Sequence, residues 1–166
     1  MTDLTLSGPA ATAAGRGSLR AARLVIPAAA ALSLLVAWAH LAYTQSHFRE
    51  WWAYGVFFLA TGIGQGVFAA LLVRRPSRPL LLAGLLGNLG VIGMYILSRT
   101  QDVPLGPHAG VAEHTGTVDL VTTAGEIAIV VLLLALLDRT ARRWVVNGLL
   151  VAGLVMWAVR LAEVAP

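Results

Sequence analysis

The chain contains no cysteine and no lysine. Without cysteine, disulfide bonds, thiolate metal sites and thiol redox chemistry are excluded. Without lysine, catalysis through an imine on a lysine side chain is excluded as well. All 12 basic residues are therefore arginines.

Charge of either sign is also scarce. Charged residues make up 12% of the chain and hydrophobic residues 58%, whereas a soluble domain carries about 25% charged residues. This composition is typical of a protein that has lipid as its solvent, so we expect the bilayer to be its main partner. A length of 166 residues allows one helical bundle without a separate soluble domain. The net charge of +4 does not indicate a nucleic-acid partner, because the arginines lie in short segments between apolar runs.

Five apolar segments are long enough to cross a bilayer, which takes about 20 residues. They cover residues 24–43, 53–73, 80–97, 118–137 and 144–162. The sequence therefore predicts an all-α integral membrane bundle of five transmembrane helices, with residues 24–162 as one membrane domain. Residues 1–23, which are rich in small residues, are predicted to form a disordered cytoplasmic tail.

The arginines predict the orientation of this bundle. Nine of the twelve lie in three alternate segments, namely Arg16, Arg20 and Arg23; Arg74, Arg75 and Arg78; and Arg139, Arg142 and Arg143. Cytoplasmic loops carry an excess of positive charge. We therefore expect a multi-pass protein of the plasma membrane with its N-terminus inside and its C-terminus outside.

An alternative interpretation concerns the first segment. Three arginines, an apolar run and then Ala37-Trp38-Ala39 resemble a signal peptide with a cleavage site after Ala39. Cleavage there would leave four spans and make His40 the first residue, whose amine and ring could chelate copper.

Helical spacing places polar residues on single faces, weighted toward the predicted outer half of the membrane. Asp119, Thr122, Thr123 and Glu126 follow a spacing of three or four residues. The other members of the predicted pocket are Glu50, Gln65, Asn88, Tyr95 and Arg99. Because polar groups facing lipid are costly, these faces should meet in a pocket that opens outward, with Glu126 about 12 Å below its mouth.

Histidine and carboxylate side chains at the same side suggest a metal site, since these ligands suit zinc, copper or iron. The candidate ligands are His40, His47, His108, Glu113 and His114. Their spacing is not diagnostic: His40 and His47 lie about 10 Å apart on a straight helix, too far to share one ion. Copper or zinc is the favoured metal, while haem binding by His40 has little support.

Glycines recur in the second and third segments. Gly62 and Gly66 form a G-x-x-x-G pattern, and Gly84, Gly87, Gly90 and Gly93 recur every three residues. Small residues let helices approach closely, so the pattern predicts packing of the second segment against the third, or a homo-oligomer.

A run of residues from His47-Phe48-Arg49-Glu50-Trp51 to Glu126, including Ser98-Arg99-Thr100, Pro104, Gly106-Pro107, Gly110, Glu113, Gly116 and Asp119, resembles small multi-pass membrane proteins of high-GC bacteria. The resemblance covers roughly residues 40–126. It implies a class and a bacterial origin, and it brings no assigned activity, catalytic residue or cofactor.

Three functions fit these observations. The first is binding of a metal ion, a cation or a small polar ligand in the outward pocket. The second is an accessory subunit that packs in a larger membrane complex through its glycine-rich helices. The third is a metal-dependent membrane enzyme that uses histidine and glutamate as acid and base.

Overall fold

The computed structural model describes residues 9–100, 106–107 and 114–164, and their side chains within 23–99, 106–107, 114–158 and 161. Over these residues the fold consists of α-helices and short connections. The helices are α1 (Pro9–Glu50), α2 (Trp52–Arg74), α3 (Arg78–Thr100), α4 (Thr117–Leu136) and α5 (Arg139–Val164). The all-α class predicted from the sequence is confirmed.

Within the described ranges, four helices are long and apolar enough to cross a membrane. They comprise Arg23–Glu50 of α1, Trp52–Arg74, Arg78–Arg99 and Thr117–Leu136. These correspond to the first four predicted spans. A crossing by α5 and the orientation of the bundle stay predictions.

The helix boundaries differ from the predicted spans mainly in α1. The structure places residues 9–23, which the sequence assigns to a disordered tail, in this helix, and α1 continues past residue 43 to Glu50. Only Trp51, in an extended conformation with φ −164° and ψ 138°, separates α1 from α2. The connection is therefore a tight turn, which makes the two helices antiparallel neighbours.

The first four helices form a closed bundle. Helix α1 packs against α2 and α4, and α3 packs against α4 and, less extensively, against α2. Because successive helices alternate in direction, one end of the bundle carries a group of arginines and the other carries the α1–α2 turn. We call these the arginine-rich end (Arg23, Arg74, Arg75, Arg78 and Arg139) and the open end, which contains the turn at Trp51.

The apolar core lies in the half of the bundle near the arginine-rich end. Leu72, Leu85, Ile129 and Leu133 are its largest fully buried apolar side chains. They come from α2, α3 and α4. On the bundle-facing sides of these helices, they occupy positions that the buried polar residues do not.

The glycines pack differently from the sequence prediction. A Cβ atom at Gly62 would lie 2.7 Å from Leu41 Cγ, so Gly62 allows α2 to approach α1 and not α3. Gly84 does face α2, where a Cβ atom would clash with Phe68. The other glycines of the pattern would meet nothing within 4 Å among the described atoms: Gly66, Gly87, Gly90 and Gly93. The predicted α2–α3 glycine interface is therefore wrong except at Gly84.

Among the side chains of helix α5 that are described, those packed against the core lie near its start. Asp138 precedes it, and its carboxylate accepts a hydrogen bond of 2.8 Å from the Ala141 backbone N–H, as an N-cap does. This hydrogen bond, assisted by Arg78 at 3.7 Å, holds the pKa of Asp138 below its usual value. Ala141 is buried, but Leu150, Leu154 and other apolar residues further along α5 are exposed.

Candidate functional site

A pocket of about 190 Å³ lies between the four packed helices at the open end of the bundle. Each helix contributes to its wall. The lining residues include His40, Tyr43 and His47 of α1; Tyr54, Phe57 and Phe58 of α2; Met94, Tyr95 and Arg99 of α3; and Asp119, Thr122, Thr123 and Glu126 of α4. Aromatic rings thus line much of the wall, while a few polar groups converge on the space between them.

Glu126 is the most buried polar side chain that lines the pocket. Its side chain is 1% exposed, and Oε1 has no hydrogen-bond partner among the described residues. Among the described side chains, the titratable group beside it is His40, whose Nε2 lies 3.7 Å from Oε1. This separation is too long for a direct hydrogen bond. Burying a carboxylate oxygen without a hydrogen-bond donor costs free energy. Such an atom therefore indicates a place where a ligand can supply the missing donor.

The orientation of His40 follows from its backbone contact. Its Nδ1 lies 3.0 Å from the Val36 carbonyl oxygen one turn earlier in α1. A carbonyl oxygen only accepts, so Nδ1 carries a proton, and in the neutral ring Nε2 is an acceptor. The neutral His40 ring therefore presents a lone pair, not a donor, toward Glu126.

Phe58 contacts two histidines of α1. The His47 ring stacks on the Phe58 ring with centroids 3.5 Å apart, and the His40 ring lies tilted at 5.3 Å. The Nδ1 atom of His47 lies 2.8 Å from the Tyr43 carbonyl oxygen. Both imidazoles are therefore held in place by the helix backbone and by one phenyl ring of α2.

A second charged pair lies nearer the mouth of the pocket. Arg99 Nη2 donates to Asp119 Oδ2 at 2.8 Å, and Arg99 is 15% exposed. The same Asp119 oxygen accepts from the Gly116 backbone N–H at 3.1 Å, ahead of the first turn of α4. The guanidinium carbon lies 5.1 Å from the Tyr95 ring centroid, within the range of a cation–π contact. The pair joins the ends of α3 and α4 beside the pocket.

Gln65 and Asn88, which the sequence places at the pocket floor, do not line the pocket. Gln65 Nε2 donates to Asn88 Oδ1 at 2.9 Å, and Asn88 Nδ2 donates to the Gly84 carbonyl oxygen at 2.8 Å. The Ser33 hydroxyl lies within hydrogen-bond distance of the Gln65 side-chain oxygen. The three side chains satisfy one another across α1, α2 and α3, so their observed role is to join helices.

Other predicted site residues lie away from this pocket. Glu50 and His114 are exposed and are not among the lining residues. His108 and Glu113 lie outside the described residues. Among the residues that are described, no group of three or more His, Asp or Glu side chains is placed to hold a metal ion. His40 and Glu126 together offer two possible ligands.

Sequence patterns did not identify the apolar part of the pocket wall. Phe57, Phe58 and Met94 line the pocket but carry no polar group that would single them out in an apolar span. Phe58 could have been found, because it lies four residues after Tyr54 and seven before Gln65, on one helix face.

Comparisons of the chain with protein-family models, with curated proteins and with solved structures gave no match. The class of the protein thus follows from the fold itself, whose four long apolar helices are those of a multi-pass integral membrane protein.

Proposed function

We propose that this multi-pass protein of the plasma membrane binds a small polar ligand in the pocket at its open end, which faces outward. The observation that carries the proposal is the Glu126 carboxylate, 1% exposed and with Oε1 lacking a hydrogen-bond partner among the described side chains and backbone. Concave sites with mostly apolar walls and a few convergent polar groups are the usual form of small-molecule sites.

Binding from one side fits the bundle better than conduction through it. The fully buried Leu72, Leu85 and Leu133 fill the bundle between the pocket and the arginine-rich end. The positive-inside rule supports a cytoplasmic location for that end. The pocket is then accessible from outside and closed toward the cytoplasm.

The proposal is tested by filling the pocket. Ala39 lines it, so Ala39→Phe should exclude a ligand, whereas Ala70, exposed on α2 and remote from the pocket lining, offers the same substitution as a control. The purified protein in phosphatidylcholine nanodiscs is screened by thermal unfolding against small amines, alcohols, carboxylates and sugars. A ligand at about 100 times its Kd stabilises the folded state by about 2.7 kcal/mol.

We expect at least one class of compound to raise the Tm of the wild type and of Ala70→Phe, and to leave the Tm of Ala39→Phe unchanged. Equal stabilisation of Ala39→Phe would place binding elsewhere. A wild type that none of these compounds stabilises would contradict the proposal.

A metal ion is a second candidate ligand, since His40 and Glu126 approach each other at 3.7 Å. Two protein ligands are fewer than zinc or copper sites ordinarily use, so water or other groups would have to complete the coordination. Elemental analysis of the wild type and of His40→Ala separates the cases: near-stoichiometric copper, zinc or iron that is lost in the variant would identify a metal site.

An accessory subunit is supported by a different observation, the exposed apolar surface of α5. Trp144, Leu150, Leu154 and Trp157 are each more than half exposed. A partner helix or lipid would cover this surface. Co-purification of a second polypeptide in fixed stoichiometry, lost on removal of α5, would favour the subunit.

A further inference from the structure

We propose that the ligand of this pocket carries a primary ammonium group on a small aromatic or short aliphatic body. This inference rests on the proposed binding function and names the chemical class of the ligand. It follows from the acceptors at the pocket floor, from the walls and from the size of the space.

The floor presents two acceptor atoms, and the described residues bring no hydrogen-bond donor to Glu126 Oε1. Glu126 Oε1 has no hydrogen-bond partner in the described part of the chain, and the neutral His40 ring directs its Nε2 lone pair toward the same space. The two atoms are 3.7 Å apart. One nitrogen can therefore lie about 2.9 Å from both and donate to each. A primary ammonium has three N–H donors, enough to satisfy both acceptors and one of the nearby threonine hydroxyls.

The walls suit the rest of such a ligand. Tyr43, Phe57, Phe58 and Tyr95 line the space beside the carboxylate. Aromatic faces attract cations and stack with other rings. The combination of a buried carboxylate and aromatic walls thus favours a cation with an apolar body.

The pocket volume limits the size of the ligand. At about 190 Å³ the space is somewhat larger than the cavity of about 150 Å³ that accommodates benzene. It is far larger than a bare cation needs. A single ring or a short chain beside the ammonium would occupy it.

An anionic ligand fits the site less well. Arg99, the arginine that lines the pocket, already donates to Asp119 at 2.8 Å. An anion placed deeper would face the Glu126 carboxyl group without a compensating charge.

The same acceptors would also receive the primary ammonium of a phosphatidylethanolamine headgroup, so the ammonium has two possible sources, a free amine and a lipid.

The experiment uses the full chain in phosphatidylcholine nanodiscs, whose headgroup lacks N–H donors. 2-Phenylethylamine is titrated by calorimetry beside its neutral analogue 2-phenylethanol, its anionic analogue 3-phenylpropionate and its N,N,N-trimethyl derivative. We expect the amine to bind at least about tenfold more tightly than each of the other three, the gain typical of a hydrogen bond to a charged group.

Two glutamate variants test whether Glu126 is the residue that binds the ammonium group. Glu126→Gln keeps the side-chain shape and should weaken amine binding by at least about tenfold, while binding of 2-phenylethanol changes little. Glu50→Gln makes the same chemical change at an exposed residue that does not line the pocket, and it should bind the amine as the wild type does.

The outcomes separate this inference from the function on which it rests. If 2-phenylethanol or 3-phenylpropionate binds as tightly as the amine, or if Glu126→Gln leaves amine binding unchanged, the ammonium assignment is wrong while pocket binding still stands. If none of the four compounds binds and the broader screen also finds nothing, both fail. Nanodiscs containing phosphatidylethanolamine identify the source: competition with the amine points to the lipid headgroup, and its absence to a free amine.

Discussion

Buried polar residues in this bundle fall into two groups with different consequences. Ser33, Gln65 and Asn88 form hydrogen bonds with one another, so their polar atoms are compensated inside the protein. Glu126 is equally buried, but its Oε1 lacks such a partner among the described residues. The first group stabilises the bundle, whereas the burial of Glu126 lowers the stability of the protein. A bound ligand that donates to Oε1 would compensate for this loss.

The hydrogen-bonded group predicts an effect on stability. Asn88→Leu removes the oxygen that accepts from Gln65 Nε2 and leaves the buried Gln65 amide without this partner. We expect the free energy of unfolding to fall by about 1 kcal/mol, the size typical of hydrogen bonds between membrane helices. The measurement is reversible unfolding in mixed micelles. Asn147 is exposed on α5, so Asn147→Leu is the matched control and should change stability little. Equal loss in both variants would show that the network contributes nothing specific.

At the same scale, the sequence predicts the faces of the helices better than the partners of each residue. Asp119, Thr122, Thr123 and Glu126 share one face by their spacing, and the structure places them together on the pocket wall. The same reasoning assigned Gln65 and Asn88 to the pocket floor. The spacing of residues along one helix determines which face each side chain occupies. Whether two amides on different helices form a hydrogen bond also depends on how the second helix is shifted along its axis and rotated about it, and the sequence spacing does not determine either.

Among the elements, α1 is longer than the membrane span predicted at residues 24–43. Its last turns carry Thr44, His47 and Glu50, which end an apolar span but not a helix. The Thr44 hydroxyl donates to the His40 carbonyl oxygen, and His47 Nδ1 lies 2.8 Å from the Tyr43 carbonyl oxygen, contacts four residues apart that a continuing helix allows. The apolar run in the sequence indicates where the membrane-spanning part ends, whereas helix α1 continues beyond it to Glu50.

The close approach of α1 and α2 depends on Gly62. A Cβ atom there would lie 2.7 Å from Leu41 Cγ and 3.1 Å from the Ala37 carbonyl oxygen, which belongs to the backbone and cannot rotate away. We expect Gly62→Ala to lower the free energy of unfolding by about 1–3 kcal/mol, as overpacked cores do.

Gly90 provides the control for this substitution. It lies in α3, where a Cβ atom would meet nothing within 4 Å among the described atoms. Gly90→Ala should be neutral or slightly stabilising, because alanine favours helices by up to about 1 kcal/mol over glycine. If both variants lose the same stability in thermal unfolding, loss of glycine flexibility and not helix packing is responsible.

At the scale of the whole molecule, the position of α5 decides the topology. Composition alone predicts the membrane class, because four helices are apolar over lengths that suit a bilayer. It does not decide α5, whose apolar residues are exposed while Arg139, Arg142 and Arg143 occupy its first turns. A fifth crossing and a helix lying at the membrane surface both satisfy this pattern.

Reporter fusions distinguish the two positions of α5. Alkaline phosphatase is active outside the cytoplasm and green fluorescent protein inside it, so each is fused after Ser77, Gly106 and Pro166. We expect Ser77, at the arginine-rich end, to report the cytoplasm, and Gly106, near Tyr54 and Trp51 at the open end, to report the outside. These two sites establish the orientation of the bundle independently of α5.

The fusion after Pro166 then tests α5 alone. Because the exposed apolar residues of α5 extend from Trp144 to Leu161, a length of about 26 Å that nearly matches the hydrocarbon core, we expect α5 to cross and Pro166 to report the outside. A cytoplasmic result at Pro166, with the other two fusions as expected, would leave four spans and place α5 at the inner surface. Reversal at Ser77 and Gly106 would instead turn the pocket toward the cytoplasm, and a cytoplasmic amine would then be the ligand to test.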